Sequence, residues 1–145
     1  MRAAGECPFS CSYCLSSIDK KLRFRDLELV KKELQFFLDH RVPQVKFVDR
    51  TFNCKHEHAM TIWKYILEHD NGVTNFHFEI SADLLREEEM ELMSQMRPGL
   101  IQLEIGVQST NPETIRAIHR HMDLKKLEHC VNRVTVSEIS ISTWI

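Results

Sequence analysis

Three of the chain's five cysteines fall within eight residues, in the stretch Cys7-Pro8-Phe9-Ser10-Cys11-Ser12-Tyr13-Cys14. Thiolates are soft ligands that suit zinc, copper(I) and iron–sulfur clusters. Structural zinc takes four ligands in a closed tetrahedron. Here three thiols stand together, so Cys54 or a histidine would have to be the fourth, and C-x3-C-x2-C is not the paired C-x2-C zinc pattern. A cubane cluster normally takes four cysteines. With three, one iron stays open, and an open iron can bind a ligand, which is a catalytic arrangement. Plain burial of small residues is the remaining reading, and Ser10, Ser12 and Ser16 around the thiols speak against a fully apolar setting. An odd count in one cluster is not a disulfide framework.

Polar residues elsewhere recur on strand-like stretches. In Asn75 to Ser81, Phe76, Phe78 and Ile80 share one face, and His77, Glu79 and Ser81 share the other. In Leu100 to Gln108, Ile101, Leu103, Ile105 and Val107 alternate with Gln102, Glu104 and Gln108. A parallel strand buried on both faces should be apolar throughout. The polar side therefore lines either a cavity or a self-satisfied network around Glu79 and Glu104, since buried carboxylates need partners.

The elements that must position these residues alternate. Helical stripes are predicted from Asp26 to His40, from His58 to His69, from Glu87 to about Met96, from Asn111 to about Arg120, and from Asp123 to about Val131. Short strands are predicted at Gln44 to Asp49, Asn75 to Ser81, Leu100 to Val107 and Val134 to Ser142. Acids at Glu87, Glu88 and Glu89 suit a helix start, as does the Asn111-Pro112 pair. This rhythm argues for an α/β fold, a partial (β/α) barrel of parallel strands, with functional residues at the strand C-termini.

The stretch "CPFSCSYC" resembles the cluster motif of radical S-adenosylmethionine (radical SAM) enzymes, with an aromatic, Tyr13, just before the last cysteine. "VKFVDRTFN" (Val45 to Asn53) resembles that superfamily's second strand and its end. "LEIGVQSTNPETIRAIHR" (Leu103 to Arg120) is similar to the fourth-strand segment of the branch that often carries a cobalamin-binding domain. The likeness covers about Gly5 to Val131.

The resemblance implies that Cys7, Cys11 and Cys14 hold a [4Fe–4S] cluster. It implies that S-adenosylmethionine on the open iron is cleaved reductively to a 5′-deoxyadenosyl radical, which abstracts hydrogen from an unidentified substrate. It places Tyr13 near the adenine and Asp49 near the amino group, where the family often has Gly-Gly-Glu. Glu79 and Ser81 would meet the ribose or amino group, Glu104, Gln108 and Ser109 lie on or just past the fourth strand, and Arg120 would pair with the carboxylate. An electron donor such as flavodoxin or ferredoxin is implied, and cobalamin would come through a domain absent here. The alternative is a non-catalytic iron–sulfur or zinc-binding module.

The superfamily core has six βα units, and about four are countable here, so residues 1–145 read as a single, incomplete core domain with an open edge that favours self-association. Nothing before Gly5 reads as a full first strand, and the last residues do not resemble the family.

Composition agrees with an ordinary globular chain: 145 residues, 43% hydrophobic, 28% charged, net charge −2. It shows no basic excess for nucleic acid, and no apolar run of about 18 residues for a membrane. No export signal is read at the N-terminus, so a cytoplasmic location is expected.

"HEHAM" (His56 to Met60) is not the zinc-protease motif, and His56 and His58 are expected at a solvated helix start. Met90, Met93 and Met96 are expected in the core. Cys54 and Cys130 are expected as small core residues, Cys54 close enough to approach the site. Lys20, Lys21, Arg23 and Arg25 read as a solvated loop, or as a contact for a phosphate-bearing substrate or a redox donor.

Overall fold

The computed structural model describes residues 1–5, 7–15, 18, 21–137 and 139–144. Ser16 and Lys20 lie outside the described residues. Two short strands, β1 (Ala4–Gly5) and β2 (Arg23–Phe24), pair antiparallel and close the base of the cysteine loop. The chain then alternates: α1 (Leu27–Asp39), β3 (Gln44–Lys46), α2 (His56–Glu68), β4 (Asn75–Ile80), α3 (Glu87–Ser94), β5 (Ile101–Gly106), α4 (Pro112–Ala117), α5 (Leu124–Val136) and β6 (Ser140–Trp144). Strands β3 to β6 form a parallel sheet in sequence order. This is the expected α/β arrangement, part of a (β/α) barrel.

Local chemistry starts the helices where expected. Asp26 caps α1 by accepting from the N–H groups of Glu28 and Leu29, and Asn111 caps α4, with Pro112 at its first position. Glu89 reaches back to the Arg86 N–H at 2.9 Å at the head of α3. Beyond α3, Arg97 turns back to Asp70 at 2.7 Å, and Gly99 takes a left-handed φ of 78° that suits a residue without Cβ.

The apolar face of the sheet packs under the helices. Phe76, Phe78, Leu103 and Ile105 are buried, with Phe47, Phe52 and Trp63 against them. Ring centroids within the Phe47, Phe52, Trp63 and Phe78 group lie 4.4–6.0 Å apart. Each such side chain contributes about 2–3 kcal/mol by burial. Met90, Met93 and Met96 are in this core, as expected.

The C-terminal third departs from expectation. Val134 to Val136 was expected in a strand, but α5 runs on through Val136 and the strand begins at Ser140. Three β-branched residues favour a strand locally. Leu127, Cys130 and Val134 nevertheless continue one buried helical stripe, and packing that stripe overrides the local preference. The strand that follows pairs with β5 from Gln102↔Ser140 to Gly106↔Trp144. At the other end, the Met1 amino group donates to Lys46 O at 2.7 Å and Val48 N–H donates to Met1 O at 2.9 Å. Met1 thus lies alongside β3 in a parallel-type bond pattern. No described helix is long and apolar enough to cross a membrane.

Candidate functional site

The cysteine loop sits over the C-terminal ends of the strands. Below its base, the buried Asp49 carboxylate accepts from Ala3 N–H at 3.0 Å and from Ala4 N–H. Its location after β3 puts it under β1, where burial raises its pKa against the lowering effect of those two N–H bonds. Within the loop, Cys14 N–H donates to Cys11 O at 3.1 Å, which tightens the turn between the second and third thiols. Cys7 Sγ lies 3.3 Å from Thr51 Oγ1.

A cavity of about 300 Å³ opens between this loop and the sheet. Cys7, Cys11 and Cys14 line it, with Glu79 and Ser81 from the end of β4 and Glu104 and Gly106 from β5. Its size is at the low end for small-molecule sites. Strand parity explains the lining: the residues between the buried Phe76, Phe78, Ile80 and Leu103, Ile105 turn to the opposite face. Gly106 has a specific role here. A Cβ at this position would stand 2.7 Å from Gln108 Nε2, so its absence lets the Gln108 amide lie against the strand end. Gln108 itself holds a φ of 67°, uncommon outside glycine.

The polar face is also internally paired. Lys46 Nζ lies 3.0 Å from Glu104 and 3.4 Å from Glu79, His77 Nε2 is 3.0 Å from Glu104, and Arg50 is 3.8 Å from Glu79. Hydrogen bonding to Glu104 holds the Lys46 pKa above its ordinary value. The two readings of the polar strands, cavity and network, therefore describe the same residues. Glu79 and Glu104 line the cavity, and the Lys46 ammonium pairs with both carboxylates.

Of the residues singled out in the sequence, the three cysteines, Tyr13, Glu79, Ser81, Glu104, Gln108 and Arg120 all line one cavity. Asp49 and Ser109 are not among its lining. Asp49 holds the Ala3 and Ala4 backbone, and Ser109 Oγ accepts from Asn111 N–H at 3.1 Å ahead of α4. Ser81 also has a partner, donating to Asp83 at 2.7 Å. Phe9, Arg50 and Thr51 line the cavity as well and carried no sequence signal beyond lying near the motifs.

Other expectations resolve around the site. His58 is buried, not solvated: it packs 5.1 Å from the Phe24 ring, and desolvation lowers its pKa. The helix starts two residues earlier than expected, which turns His58 inward. His56 lies between Glu88 and Glu89 at 3.3 and 3.0 Å. Arg25 of the basic stretch pairs with Glu33. Cys54 lies outside the cavity lining, and burial pushes its thiol up to about 11. Cys130 is buried in the core.

The donor set suits a cluster. Three thiols face a common cavity, and Cys54 is not among its lining. Among the described residues no group of three Cys, His, Asp or Glu side chains is arranged to hold a single ion. A cubane takes each thiolate on a different iron, and so calls for thiols spread around a cavity.

Residues 3–143 match the family model of the Radical SAM superfamily, and the chain belongs to that superfamily. The match runs into β6, further than the sequence motifs alone reached. No curated protein matches the chain. Among solved structures, it is similar to the radical S-adenosylmethionine methyltransferase TsrM from Kitasatospora setae, solved with cobalamin and a [4Fe–4S] cluster bound. The TM-score is 0.82 at 16% identity, covering 98% of this chain and 27% of that one. It is similar to the cobalamin-dependent S-adenosylmethionine radical enzyme OxsB with aqua-cobalamin bound, at TM-score 0.77, 15% identity, 99% of this chain and 23% of that one. The structure of anSMEcpe with bound AdoMet and a Cp18Cys peptide gives TM-score 0.68 at 12% identity, with 98% and 40% covered. At these identities the likeness is one of fold. The chain spans about a quarter of the length of TsrM and OxsB.

Proposed function

We propose that this chain is the cluster-bearing part of a radical SAM enzyme, with Cys7, Cys11 and Cys14 as ligands of a [4Fe–4S] cluster and S-adenosylmethionine in the adjoining cavity. The observation that carries this reading is the convergence of three thiols and the polar ends of β4 and β5 on one cavity. A cluster with S-adenosylmethionine bound supplies one-electron reductive cleavage to a 5′-deoxyadenosyl radical, which takes hydrogen from a substrate.

The chain's own residues bind and orient. Glu79 and Glu104 offer carboxylates to the ligand's ammonium and hydroxyls. Ser81 and Gln108 offer neutral hydrogen-bonding groups at the strand ends. Tyr13 gives an aromatic wall, half-exposed and available to an adenine. Thr51 supports Cys7 from β3's side. Asp49 and Ser109 act behind this surface: Asp49 holds the strand that leads into the loop, and Ser109 supports the turn into α4.

A one-electron donor such as flavodoxin or ferredoxin serves as reductant in this reading. Residues 1–145 form one domain of a larger enzyme, and cobalamin, bound in TsrM and OxsB, would enter through another part of it.

The test is anaerobic reconstitution of the chain with iron and sulfide, followed by electron paramagnetic resonance of the reduced protein with and without S-adenosylmethionine. A [4Fe–4S]⁺ signal that changes on adding S-adenosylmethionine is expected. Zinc in place of a cluster, or a cluster signal indifferent to S-adenosylmethionine, overturns the proposal.

A further inference from the structure

Two contacts join the cysteine loop to the segment between β5 and α5, and a third ties that segment to the end of β5. Ser12 N–H donates to Ile118 O at 3.0 Å. Arg120 Nη1 donates to the Tyr13 hydroxyl at 3.2 Å. Arg120 Nη2 donates to Gly106 O, the last carbonyl of β5. The backbone at this point is specially shaped. α4 ends at Ala117, Ile118 N–H closes back on Thr114 O, His119 takes a φ of 54°, and Arg120 N–H donates to Ile115 O at 3.1 Å. This left-handed turn brings Ile118 O and the Arg120 side chain to the same side of the loop.

We infer that Arg120 is a positioning residue for the cysteine loop: its guanidinium bridges Tyr13 to the end of β5 and thereby fixes the turn that carries Cys11 and Cys14. Both Nη partners are neutral oxygens, so each Nη gives one of its N–H groups to holding protein to protein, while Nε is buried without a partner among the described residues. Arginine suits this because a planar fork can hold two acceptors in different directions while keeping its charge. Lysine carries its three donors on a single nitrogen and lacks the span of the guanidinium fork. Tyr13 and Ser12 lie between Cys11 and Cys14, so the clamp grips the loop between two thiols. Its other end rests on the last carbonyl of β5, inside the parallel sheet. The loop's base is separately held by β1, β2 and Asp49, so without Arg120 the loop stays attached at its root and loosens at its tip.

The inference rests on the cluster reading for its consequence, though not for its geometry. Two measurements separate them. The first is amide hydrogen–deuterium exchange of the metal-free chain, read at the peptide containing Ser12. Arg120→Met is expected to speed exchange there by roughly tenfold, the loss of about 1.4 kcal/mol of local protection, with Tyr13→Phe showing a smaller change of the same kind. The second is the rate at which an iron chelator bleaches the reconstituted cluster. Arg120→Met and Tyr13→Phe are both expected to speed bleaching, the double variant no more than Arg120→Met alone, with Arg120→Lys between wild type and Arg120→Met.

Unchanged exchange at Ser12 in a folded Arg120→Met protein overturns the inference. So does a variant whose only defect is weaker S-adenosylmethionine binding by calorimetry, because that outcome assigns Arg120 to the ligand. If Arg120→Met does not fold, Tyr13→Phe and Arg120→Lys decide by the same exchange readout. Should the wild-type chain take up no cluster, the cluster reading fails, and the exchange measurement still decides the clamp.

Discussion

Glu79 and Glu104 stand directly opposite one another on β4 and β5, and the ammonium of Lys46 lies 3.4 and 3.0 Å from them. Like charges in register on neighbouring strands repel. The pair is tolerated because one cation from the next strand reaches both, with His77 against Glu104 and Arg50 near Glu79.

Removal of that cation should therefore be felt through the carboxylates. Lys46→Met is expected to lower stability by about 1 kcal/mol in urea unfolding, a small figure because the lysine is half-exposed and screened. In a Glu104→Gln background the same substitution should cost clearly less. Equal costs in both backgrounds would show that the lysine stem acts by packing alone.

Asp49 offers a larger effect. Its carboxylate satisfies two buried N–H groups in the segment leading to Cys7. Asp49→Ala leaves both without an acceptor and should cost about 3 kcal/mol of stability, measured by urea or thermal unfolding. The same variant should raise exchange at Ala3 and Ala4. A cost below about 0.5 kcal/mol would mean the N-terminal segment is held by its other contacts, Arg25 N–H to Ala3 O among them.

The cysteines should divide by function. Cys11→Ser is expected to abolish stable iron and sulfide uptake, and Cys54→Ser to leave it near wild type. Cys54 lies outside the cavity that the other three thiols line. Iron and sulfide stoichiometry after reconstitution measures both. Loss of uptake in Cys54→Ser would make it a fourth ligand.

His58 predicts a dependence of stability on pH. Burial lowers its pKa in the folded state, opposed by the nearby Asp49 charge and the Ala3 backbone. The unfolded chain therefore binds the proton first as pH falls. Stability should be full above about 6.5, decline as pH drops below that value, and level off once the folded-state pKa is passed. His58→Leu should flatten this part of the profile in thermal unfolding from pH 7.5 to 5. A wild-type curve parallel to the variant's would show that His58 does not carry the dependence.

Much of the scaffold was legible in the chain. The alternation of helical stripes and short strands, the caps at Asp26 and Asn111, and the polar parity of β4 and β5 all follow from periods of 3.6 and 2 that act within one element. The cysteine triplet was legible from thiol chemistry and spacing. What failed was local reasoning at places where packing competes. Val134 to Val136 carry strand-forming side chains, yet the stripe from Leu127 through Cys130 needs them as helix. His58 looked solvated beside His56, but a helix start two residues earlier buries it against Phe24.

By itself the sequence determined which groups are available: three thiols on one loop, two carboxylates on strands of alternating polarity, and a parallel α/β order to carry them. These depend on side-chain chemistry and on neighbours a few residues away. Tertiary structure decided where those groups face and what they hold. Asp49 resembled a ligand-binding acid by position, and the fold turns it to the Ala3 and Ala4 amides. The fold sets Arg120 against Tyr13 across 107 residues of chain, at the wall of the cavity. Such pairings depend on how separate elements pack, and no short-range pattern in the chain encodes them.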